Sequence, residues 1–208
     1  MTENYKNHWN LAYDDRATED LGWYEESSTK TIALIEKTGL PKDAKVLNVG
    51  IGSSRLIDEL LTKNYTNLIA SDLSNKSLEK LKNRIGKQSE NVQFIVDDLI
   101  NATKLNQLKE VDLWNDRAVL HFFTKSSDQK KYFDLLKKVV KSNGFVILAE
   151  FALNGAEKCC NLDVFRYSKE MLQERLGDDF VLKDSFKYTF INPRGGERPY
   201  IYTLFQRK

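Results

Sequence analysis

The chain contains few of the residues that build disulfide frameworks and metal centres. Its 208 residues include two cysteines, two histidines and three prolines. Cys159 and Cys160 are adjacent in the sequence, which excludes a framework of disulfides. Together with His8 and His121 they show none of the spacings typical of a zinc site. We therefore expect a metal-free protein that is stabilised by its hydrophobic core.

Long apolar runs and a large excess of one charge are also missing. The longest apolar run, from Phe145 to Leu153, is interrupted by Glu150 and is too short to cross a bilayer. The first residues lack the apolar core of a signal peptide. The 32 basic and 30 acidic residues leave a net charge of +2, whereas nucleic-acid binders usually carry a basic excess or stripe. We expect a cytoplasmic protein that binds neither membranes nor nucleic acid, and the sequence leaves its oligomeric state open.

What is present is the pattern of a single α/β domain. A hydrophobic content of 41% and a charged content of 30% are typical of globular proteins with a real core. From about residue 44 onward, short β-rich runs alternate with helical patterns. This alternation is typical of right-handed βαβ units and of a parallel sheet covered on both faces. The strands are predicted over Lys45–Val49, Asn67–Ser71, Val92–Val96, Val111–Trp114 and Phe145–Phe151.

Two of the intervening helices have recognisable ends. Ser74 is predicted to cap a helix whose apolar face includes Leu78 and Leu81. A later helix opens at Ser126, and Gly144 is predicted to end it.

The last third of the chain departs from this alternation. After a helix near Lys169–Leu176, the runs Phe180–Tyr188 and Pro199–Gln206 flank a turn-rich segment. Two strands joined by so short a segment must be antiparallel. The expected fold is α/β and Rossmann-like: a seven-stranded, mostly parallel sheet with a C-terminal antiparallel hairpin and helices on both faces.

The segment before residue 44 reads as helical, with Ile32, Leu34 and Ile35 ahead of Gly39. We expect residues 1–40 to form an N-terminal helical lid that lies over the open end of the sheet. Residues 44–206 then form the Rossmann-like core, and residues 1–208 make up one domain.

Two glycines and an aspartate indicate a ligand site after the first two strands. Gly50 and Gly52 form a turn that presents backbone N–H groups and a helix N-terminus to an anionic or carboxylate-bearing ligand. Asp72 lies 22 residues after Gly50, near the spacing at which an acidic side chain accepts from both ribose hydroxyls. Ligands of open α/β sheets bind beyond the carboxyl ends of the strands, so we expect a nucleoside cofactor here.

The class of cofactor is narrowed by Arg55 and by the C-terminal hairpin. A dinucleotide-binding turn needs a small residue where Arg55 stands, which argues against NAD. A sheet that ends in an antiparallel hairpin also departs from the dehydrogenase pattern. At the end of the third strand, one of Asp97 and Asp98 is expected to accept from an adenine amino group, and the other to be solvated.

These features resemble the class I S-adenosylmethionine-dependent methyltransferases over roughly residues 40–206. Val46–Gly52, Leu68–Asp72, Phe94–Leu99 and Asp112–Arg117 resemble the first four motifs of that family. The segments 23–25, 112–122 and 164–168 are similar to a subgroup of compact bacterial methyltransferases. The leading Trp- and Tyr-rich helix also resembles that of protein-lysine methyltransferases.

The resemblance implies S-adenosyl-L-methionine as the cofactor and assigns residues to it. Gly50 and Gly52 approach its methionine end, Asp72 holds the ribose, and Asp98 meets the adenine. Asn48 stands where the family usually has an acidic residue, and a neutral amide forgoes charge-assisted bonding worth about 1–2 kcal/mol. The expected cofactor-binding residues are Trp9, Asn48, Gly50, Ile51, Gly52, Asp72, Leu73, Asp98, Leu99 and Asn115.

Methyl transfer from a sulfonium is an in-line displacement, so the protein mainly aligns the reactants and excludes water. A base is needed only when the nucleophile arrives protonated. Asp116, directly after the fourth strand, is our first choice for facing the methyl group or the cofactor's ammonium, with helix capping as the alternative. Tyr24 is the second catalytic candidate. Glu25 and His121 are further candidates at the mouth, although a core role is expected for His121.

Other residues near the expected site have two interpretations. Arg117 and Arg166 either hold an anionic substrate or brace loops, and the aromatic residues of the leading segment either form the lid or pack together. Cys159 and Cys160 follow the fifth strand, where this fold often builds its substrate wall, but a buried structural role is expected for them.

Three functions compete. A methyltransferase that acts on a small thiol, amine or carboxylate is favoured, because no large insertion offers a docking surface for a macromolecule. A protein-lysine methyltransferase is the alternative. The helical N-terminal resemblance supports it, whereas the residues 115–118 replace the acidic-aromatic-proline signature often seen in such enzymes. The third is a cofactor-binding protein that has lost catalysis and acts through interactions, to which Asn48 lends slight support.

Overall fold

The computed structural model describes residues 3–14 and 17–208, and within these residues it contains six α-helices and nine β-strands. Residues 1, 2, 15 and 16 of the predicted lid lie outside the described residues. The helices are α1 (Glu3–Asp14), α2 (Thr29–Lys37), α3 (Leu56–Thr62), α4 (Asn75–Ile85), α5 (Ser126–Val139) and α6 (Lys169–Leu176). The strands are β1 (Val46–Val49), β2 (Leu68–Asp72), β3 (Val92–Val96), β4 (Val111–Arg117), β5 (Val140–Phe151), β6 (Lys158–Cys159), β7 (Leu162–Asp163), β8 (Phe180–Ile191) and β9 (Glu197–Arg207).

Seven strands form one sheet in the order β3-β2-β1-β4-β5-β9-β8. The five strands from β3 to β5 pair in parallel, and β9 runs antiparallel to both of its neighbours. The predicted Rossmann-like fold with its C-terminal hairpin is therefore confirmed. Strands β2 and β3 follow β1 on one side of it, and the chain then returns to place β4 on the other side of β1. The strand order thus reverses between β1 and β4, the place where open α/β sheets bind ligands.

Helices cover both faces of the sheet. Successive strand residues point to opposite sides, so each face presents apolar side chains against which helices pack. Leu47 packs in a core cluster with residues of α5 and α6. Its neighbour Val46 packs in a second cluster with residues of α2, α3 and α4. The Ser74 cap is confirmed: the Ser77 N–H donates to its hydroxyl at 3.3 Å.

The prediction that Gly144 ends the helix that begins at Ser126 is wrong. Helix α5 stops at Val139, and Val140 already pairs with Val111 of β4. A Cβ atom at position 144 would lie 3.1 Å from the Val111 carbonyl oxygen and 2.9 Å from that of Lys141. Glycine is therefore required by close approach of backbones inside the strand, a role that the sequence pattern does not distinguish from a helix stop.

Helix α1 lies beside the start of α4. The Ser74 hydroxyl and the Asn10 side-chain oxygen are 2.7 Å apart, and Tyr13 is buried. This contact brings the aromatic residues of α1 to the carboxyl edge of the sheet. Among the described residues, no helix has the length and apolar character needed to span a membrane.

Candidate active site

A cavity of about 1040 Å³, counting the solvent at its mouth, opens beyond the carboxyl ends of β1 to β4. The structure places all ten residues of the predicted cofactor-binding set on its wall, so residues far apart in the sequence are brought together. Their assignment to a cofactor stays a prediction. The wall also includes residues that sequence reasoning did not assign to the cofactor: Tyr13, Trp23, Ser28, Thr31, Ser54, Leu56, Ser71, Asp97, Arg117, Ala118, Val119, Phe122, Phe123, Cys159 and Cys160.

The glycine turn after β1 is closely packed from above. Gly50 and Gly52 have φ values of +56° and +47°, a region that favours glycine. A Cβ atom on Gly50 would collide with the Val119 side chain, and one on Gly52 would lie 2.7 Å from the Tyr13 hydroxyl oxygen. Both positions therefore need glycine for conformation and for space.

The expectation that this turn offers bare N–H groups needs correction. The Gly52 N–H donates to the Asp72 carboxylate at 2.9 Å, and the Ile51 N–H donates to the Ser71 carbonyl at 3.1 Å. Strand β2 lies directly beside β1, so its last residues reach the turn and occupy these donors. The turn is thus shaped by β2 before any ligand arrives.

Asp72 has two tasks at this edge. Its second carboxylate oxygen accepts from the Ser74 N–H at 2.8 Å, so the side chain holds both the glycine turn and the start of α4. Burial raises the pKa of Asp72, and the hydrogen bonds from Ser74 and Gly52 oppose that rise. An ionised carboxylate has about four acceptor sites. Asp72 lies on the cavity wall, where its carboxylate fits the ribose hydroxyls expected here.

A pair of asparagines joins β1 to β4 at the reversal of strand order. Asn48 and Asn115 are register partners, and the Asn115 amide donates to the Asn48 side-chain oxygen at 2.7 Å. The Asn115 side-chain oxygen is buried and accepts no hydrogen bond within residues 3–14 and 17–208. A buried acceptor without a donor on a cavity wall fits the ammonium group of S-adenosylmethionine, because leaving it unpaired is costly.

The two aspartates after β3 are not equivalent. The Asp97 carboxylate accepts from the backbone N–H groups of Thr103, Lys104 and Leu105 at 2.8 to 3.2 Å. Asp98 accepts from the Ile100 N–H at 2.9 Å. Asp97 therefore organises the loop after β3. The sequence had predicted that one of the two aspartates would only be solvated. Asp98 stays the predicted contact to adenine.

The aromatic residues Trp9, Tyr13, Trp23 and Phe122, here called the aromatic wall, line one side of the cavity. The ring centroids of Trp9 and Phe122 are 5.1 Å apart, and those of Tyr13 and Trp23 are 5.7 Å apart. These residues pack together, as one interpretation expected, and they also line the cavity; that they form a lid stays a prediction. The sequence did not single out Tyr13, although its position four residues after Trp9 places both on one helix face.

The prediction that Asp116 faces the methyl group is wrong. Asp116 is fully buried and is absent from the cavity wall. Its carboxylate accepts from the N–H groups of Val119 and Leu120 at 3.0 and 3.1 Å and from the Tyr132 hydroxyl at 2.6 Å. Strand alternation is the reason: Asn115 and Arg117 point to the cavity, and the residue between them points away. The structure shows the capping alternative, and burial raises the pKa of this carboxyl.

Tyr24, the second catalytic candidate, is also absent from the cavity wall, which its neighbour Trp23 joins instead. Glu25 is engaged with Arg117, whose Nη2 lies 2.7 Å from the Glu25 carboxylate. Arg117 also donates to the Tyr202 hydroxyl at 3.2 Å. Arg117 thus lines the cavity and also braces the segment around residue 25. Arg166 is absent from the cavity wall, and it donates a hydrogen bond of 3.4 Å to the Gly155 carbonyl.

His121 is a fully buried histidine, as expected, and it is paired with an acid. Its Nδ1 lies 3.0 Å from the Glu150 carboxylate. Burial lowers the pKa of His121, but Cys159 and Glu150 outweigh it and raise the pKa to about 9. Cys159 and Cys160, by contrast, are half-buried and line the cavity. The cysteines are therefore not fully buried, contrary to expectation, and their role stays a prediction.

No group of three or more histidine, cysteine or acidic side chains within the described residues is arranged to hold a metal ion. The polar and aromatic chemistry of the cavity instead comes from three aspartates, one arginine, two amides, the aromatic wall and a pair of thiols. That arrangement can bind a nucleoside with a charged tail and present a reactive group in a sheltered space.

Comparison with known proteins bears on this arrangement. Residues 40–191 match a protein family described as a methyltransferase domain. Proteins named EEF1A lysine methyltransferase 2 are 25% identical to this chain: the one from Danio rerio over 81% of this chain and 76% of its own length, and the human one over 89% and 79%. A solved S-adenosylmethionine-dependent methyltransferase from Anabaena variabilis shares the fold, with a TM-score of 0.77, 11% identity and coverage of 98% and 93%.

These relatives correct one expectation from the sequence. A small-molecule substrate was favoured over a protein because the chain has no large insertion. Both named relatives are lysine methyltransferases whose names specify a protein, EEF1A. Absence of an insertion is therefore a poor guide to the class of substrate.

Proposed function

The chain belongs to the methyltransferase domain family, and from that premise we propose that it transfers a methyl group from S-adenosylmethionine to the side-chain amine of a lysine in a protein. The observation that carries the methyl-donor site is the convergence of the glycine turn, Asp72 and Asn115 on one cavity at the reversal of strand order. Names of the relatives support the lysine acceptor. The cytoplasmic location favoured by the sequence belongs to the same proposal.

When bound, S-adenosylmethionine supplies an electrophilic methyl group on a sulfonium. The residues of this chain bind and orient it: Asp72 accepts from the ribose hydroxyls, Asn115 accepts from the ammonium, and Asp98 with Leu99 lies against the adenine. Asn48 holds the Asn115 amide in place through the hydrogen bond between them. Alignment of this kind supplies much of the acceleration in a displacement reaction.

The acceptor amine must lose its proton before it attacks, and the aromatic wall favours that loss. A lysine side chain that enters the cavity alongside Trp9, Trp23 and Phe122 leaves water, and desolvation lowers the pKa of its ammonium. The same rings attract a cationic amine through their faces, which selects lysine for binding; this attraction opposes loss of the proton, so desolvation must outweigh it. No carboxylate on the wall is needed as a base, consistent with the burial of Asp116 away from the cavity.

The test is methyl transfer from labelled S-adenosylmethionine into a lysate, followed by separation of protein from small molecules and hydrolysis of the labelled protein. We expect label in protein bands and methyllysine in the hydrolysate. The host's counterpart of the factor named in the relatives is the first purified substrate to test. The Asp72→Asn variant keeps the side-chain shape and is expected to lose the label, while Asp134→Asn, exposed on α5, keeps it.

Each other outcome points elsewhere. Label that appears only among small molecules contradicts the lysine proposal. Measured binding of S-adenosylmethionine without label in any fraction favours the protein that has lost catalysis, which the sequence left open.

A further inference from the structure

The two adjacent cysteines sit in an unusual turn on the cavity wall. Strands β6 and β7 pair Cys159 with Leu162 and enclose a two-residue turn of Cys160 and Asn161. Both turn residues have positive φ, +53° and +63°, as a type I′ turn requires. Asparagine and glycine are common there, but cysteine is not, since L-residues other than glycine and asparagine rarely adopt this conformation.

This turn brings the two thiols together. Adjacent residues of an extended strand point to opposite sides, so two neighbouring cysteines would ordinarily diverge. The left-handed conformation of Cys160 instead leaves its sulfur 3.7 Å from that of Cys159, and both side chains face the cavity. A rare conformation held at a cavity wall is a sign of function.

The surroundings of Cys159 add a second, independent feature. His121 is fully buried, and its charge is among the influences that lower the pKa of the Cys159 thiol. Glu150 holds His121 in place, because its carboxylate lies 3.0 Å from Nδ1 and also accepts from the His121 backbone N–H at 3.2 Å. A buried imidazole beside a carboxylate favours the thiolate form of a neighbouring cysteine.

The ionisation of Cys159 agrees with this geometry. The hydrogen bond from Cys160 and the neighbouring His121, acting against burial of the sulfur, lower the pKa of Cys159 to about 5. The reactive thiolate form is therefore present at neutral pH.

We propose that Cys159 and Cys160 form a redox-active dithiol that small-molecule disulfides convert to a vicinal disulfide, and that this closure weakens the binding of S-adenosylmethionine, a consequence that rests on the proposed function. The Cys159 thiolate attacks one sulfur of the disulfide and expels a thiolate, which takes up a proton. Cys160 then attacks the Cys159 sulfur of the mixed disulfide, passes its proton to the departing thiolate and releases the second thiol. The protein loses two electrons, and the small disulfide gains them as it becomes two thiols.

Closure is expected to be readily reversed. The Cα atoms of adjacent residues are about 3.8 Å apart, whereas disulfides usually join Cα atoms about 4.4–6.8 Å apart. The small ring is therefore strained, and strained disulfides are the labile, regulatory ones. A cellular thiol pool is sufficient to reopen it.

Closure also changes the cavity. The sulfur atoms must move from 3.7 Å to about 2.05 Å, so the turn that carries them must shift. The negative charge of the Cys159 thiolate disappears from a wall that faces a cationic cofactor. We expect the Kd for S-adenosylmethionine to rise about fivefold, the order expected for one lost charge in a half-buried site.

The experiment is treatment of the purified protein with glutathione disulfide, followed by intact mass measurement and a non-reducing gel. The wild type is expected to remain monomeric, to lose two hydrogen atoms and to carry no glutathione. Cys160→Ser keeps the attacking thiol and is expected to retain one glutathione on residue 159. Cys159→Ser is expected to react much more slowly at neutral pH.

Calorimetry with S-adenosylmethionine, before and after oxidation and again after reduction with dithiothreitol, measures the consequence. Each variant is compared with itself before treatment, so any effect of the substitution alone cancels. Retention of both thiols, a stable glutathione adduct on the wild type, equal reactivity of the two single variants, or unchanged affinity after closure would each overturn the proposal. The thiol readouts do not depend on methyl transfer, so they stand whatever the acceptor is.

Discussion

The two sides of the cavity are built in different ways. The strand side consists of the glycine turn, Asp72, Asn48 and Asn115, which the parallel strands deliver to the carboxyl edge of the sheet. The second side, which adjoins the first, consists of the aromatic wall and the β6–β7 turn, which reach the cavity through side-chain packing. Backbone hydrogen bonds position the first side, and packing between distant segments positions the second. We infer that the strand side holds the methyl donor and that the packed side governs the acceptor and its regulation.

The largest effect is expected from breaking the strand side at Asp72. In Asp72→Ala the N–H groups of Gly52 and Ser74 lose a carboxylate partner, which costs about 1–3 kcal/mol for each buried donor left unpaired. We expect calorimetry to detect no binding of S-adenosylmethionine and thermal unfolding to begin at lower temperature. Asp134→Ala, at an exposed position on α5, is the control. Unchanged affinity in Asp72→Ala would show that the donor site is misplaced.

The second prediction probes the ionisation of the packed side. In Cys160→Ser, a hydroxyl replaces the thiol that donates to Cys159, so the pKa of the remaining thiol should stay well below its usual range. The folded pKa is lowered, so the thiolate persists above it and is lost as the pH falls through it. Alkylation of Cys159 by iodoacetamide should therefore stay level from about pH 8 to 6 and fall about tenfold per unit below about 5. An alkylation rate that falls already below about pH 8 would indicate an ordinary thiol.

The third prediction separates acceptor from donor. Trp23→Ala removes one ring of the aromatic wall, and we expect the KM for the protein substrate to rise about tenfold, since a desolvated cation–π contact is worth about 1–2 kcal/mol. The Kd for S-adenosylmethionine should change by less than about threefold. Tyr24→Ala, adjacent but off the wall, is the matched control and should change neither. Equal losses in the two variants would mean that the segment acts only through packing.

The fourth prediction concerns the neutral residue on the strand side. Asn48→Asp restores an acid beside the expected ammonium and can still accept from the Asn115 amide. We expect S-adenosylmethionine to bind about fivefold more tightly, corresponding to about 1 kcal/mol. Isothermal titration at two salt concentrations tests this result, because an electrostatic gain shrinks as salt is added. Weaker binding would show that burial of the new charge outweighs its attraction.

The smallest effect is expected in the β6–β7 turn. Cys160→Gly removes the cost of a left-handed cysteine, so we expect the free energy of unfolding to increase by about 1 kcal/mol. Chemical denaturation measures this change, with Cys159→Ala, in the neighbouring strand position, as the comparison. A stability gain together with loss of closure by glutathione disulfide would show that this turn gives up stability for thiol chemistry.

Prediction from the sequence was most successful where the signal is local. The alternation of strands and helices, the Ser74 cap and the C-terminal hairpin all depend on residues close together in the chain, and each is confirmed. Gly144 failed because a glycine that allows backbones to approach looks the same, in sequence, as one that stops a helix. Asp116 failed for a related reason. A one-residue step along β4 decides which side of the sheet a side chain faces, and the pattern after Trp114 did not mark where the strand ends.

The sequence by itself determined the fold class, the edge of the sheet that carries the site and the family resemblance, because hydrophobic periodicity and turn chemistry depend on neighbouring residues. Only the tertiary structure decided which side chains face the cavity. It turned Asp116 and Tyr24 away from the cavity and brought Tyr13 and Trp23 onto its wall. It also buried His121 and brought the thiols of Cys159 and Cys160 close together. These placements depend on contacts between segments up to about a hundred residues apart, where strand register and packing, rather than local pattern, select the geometry.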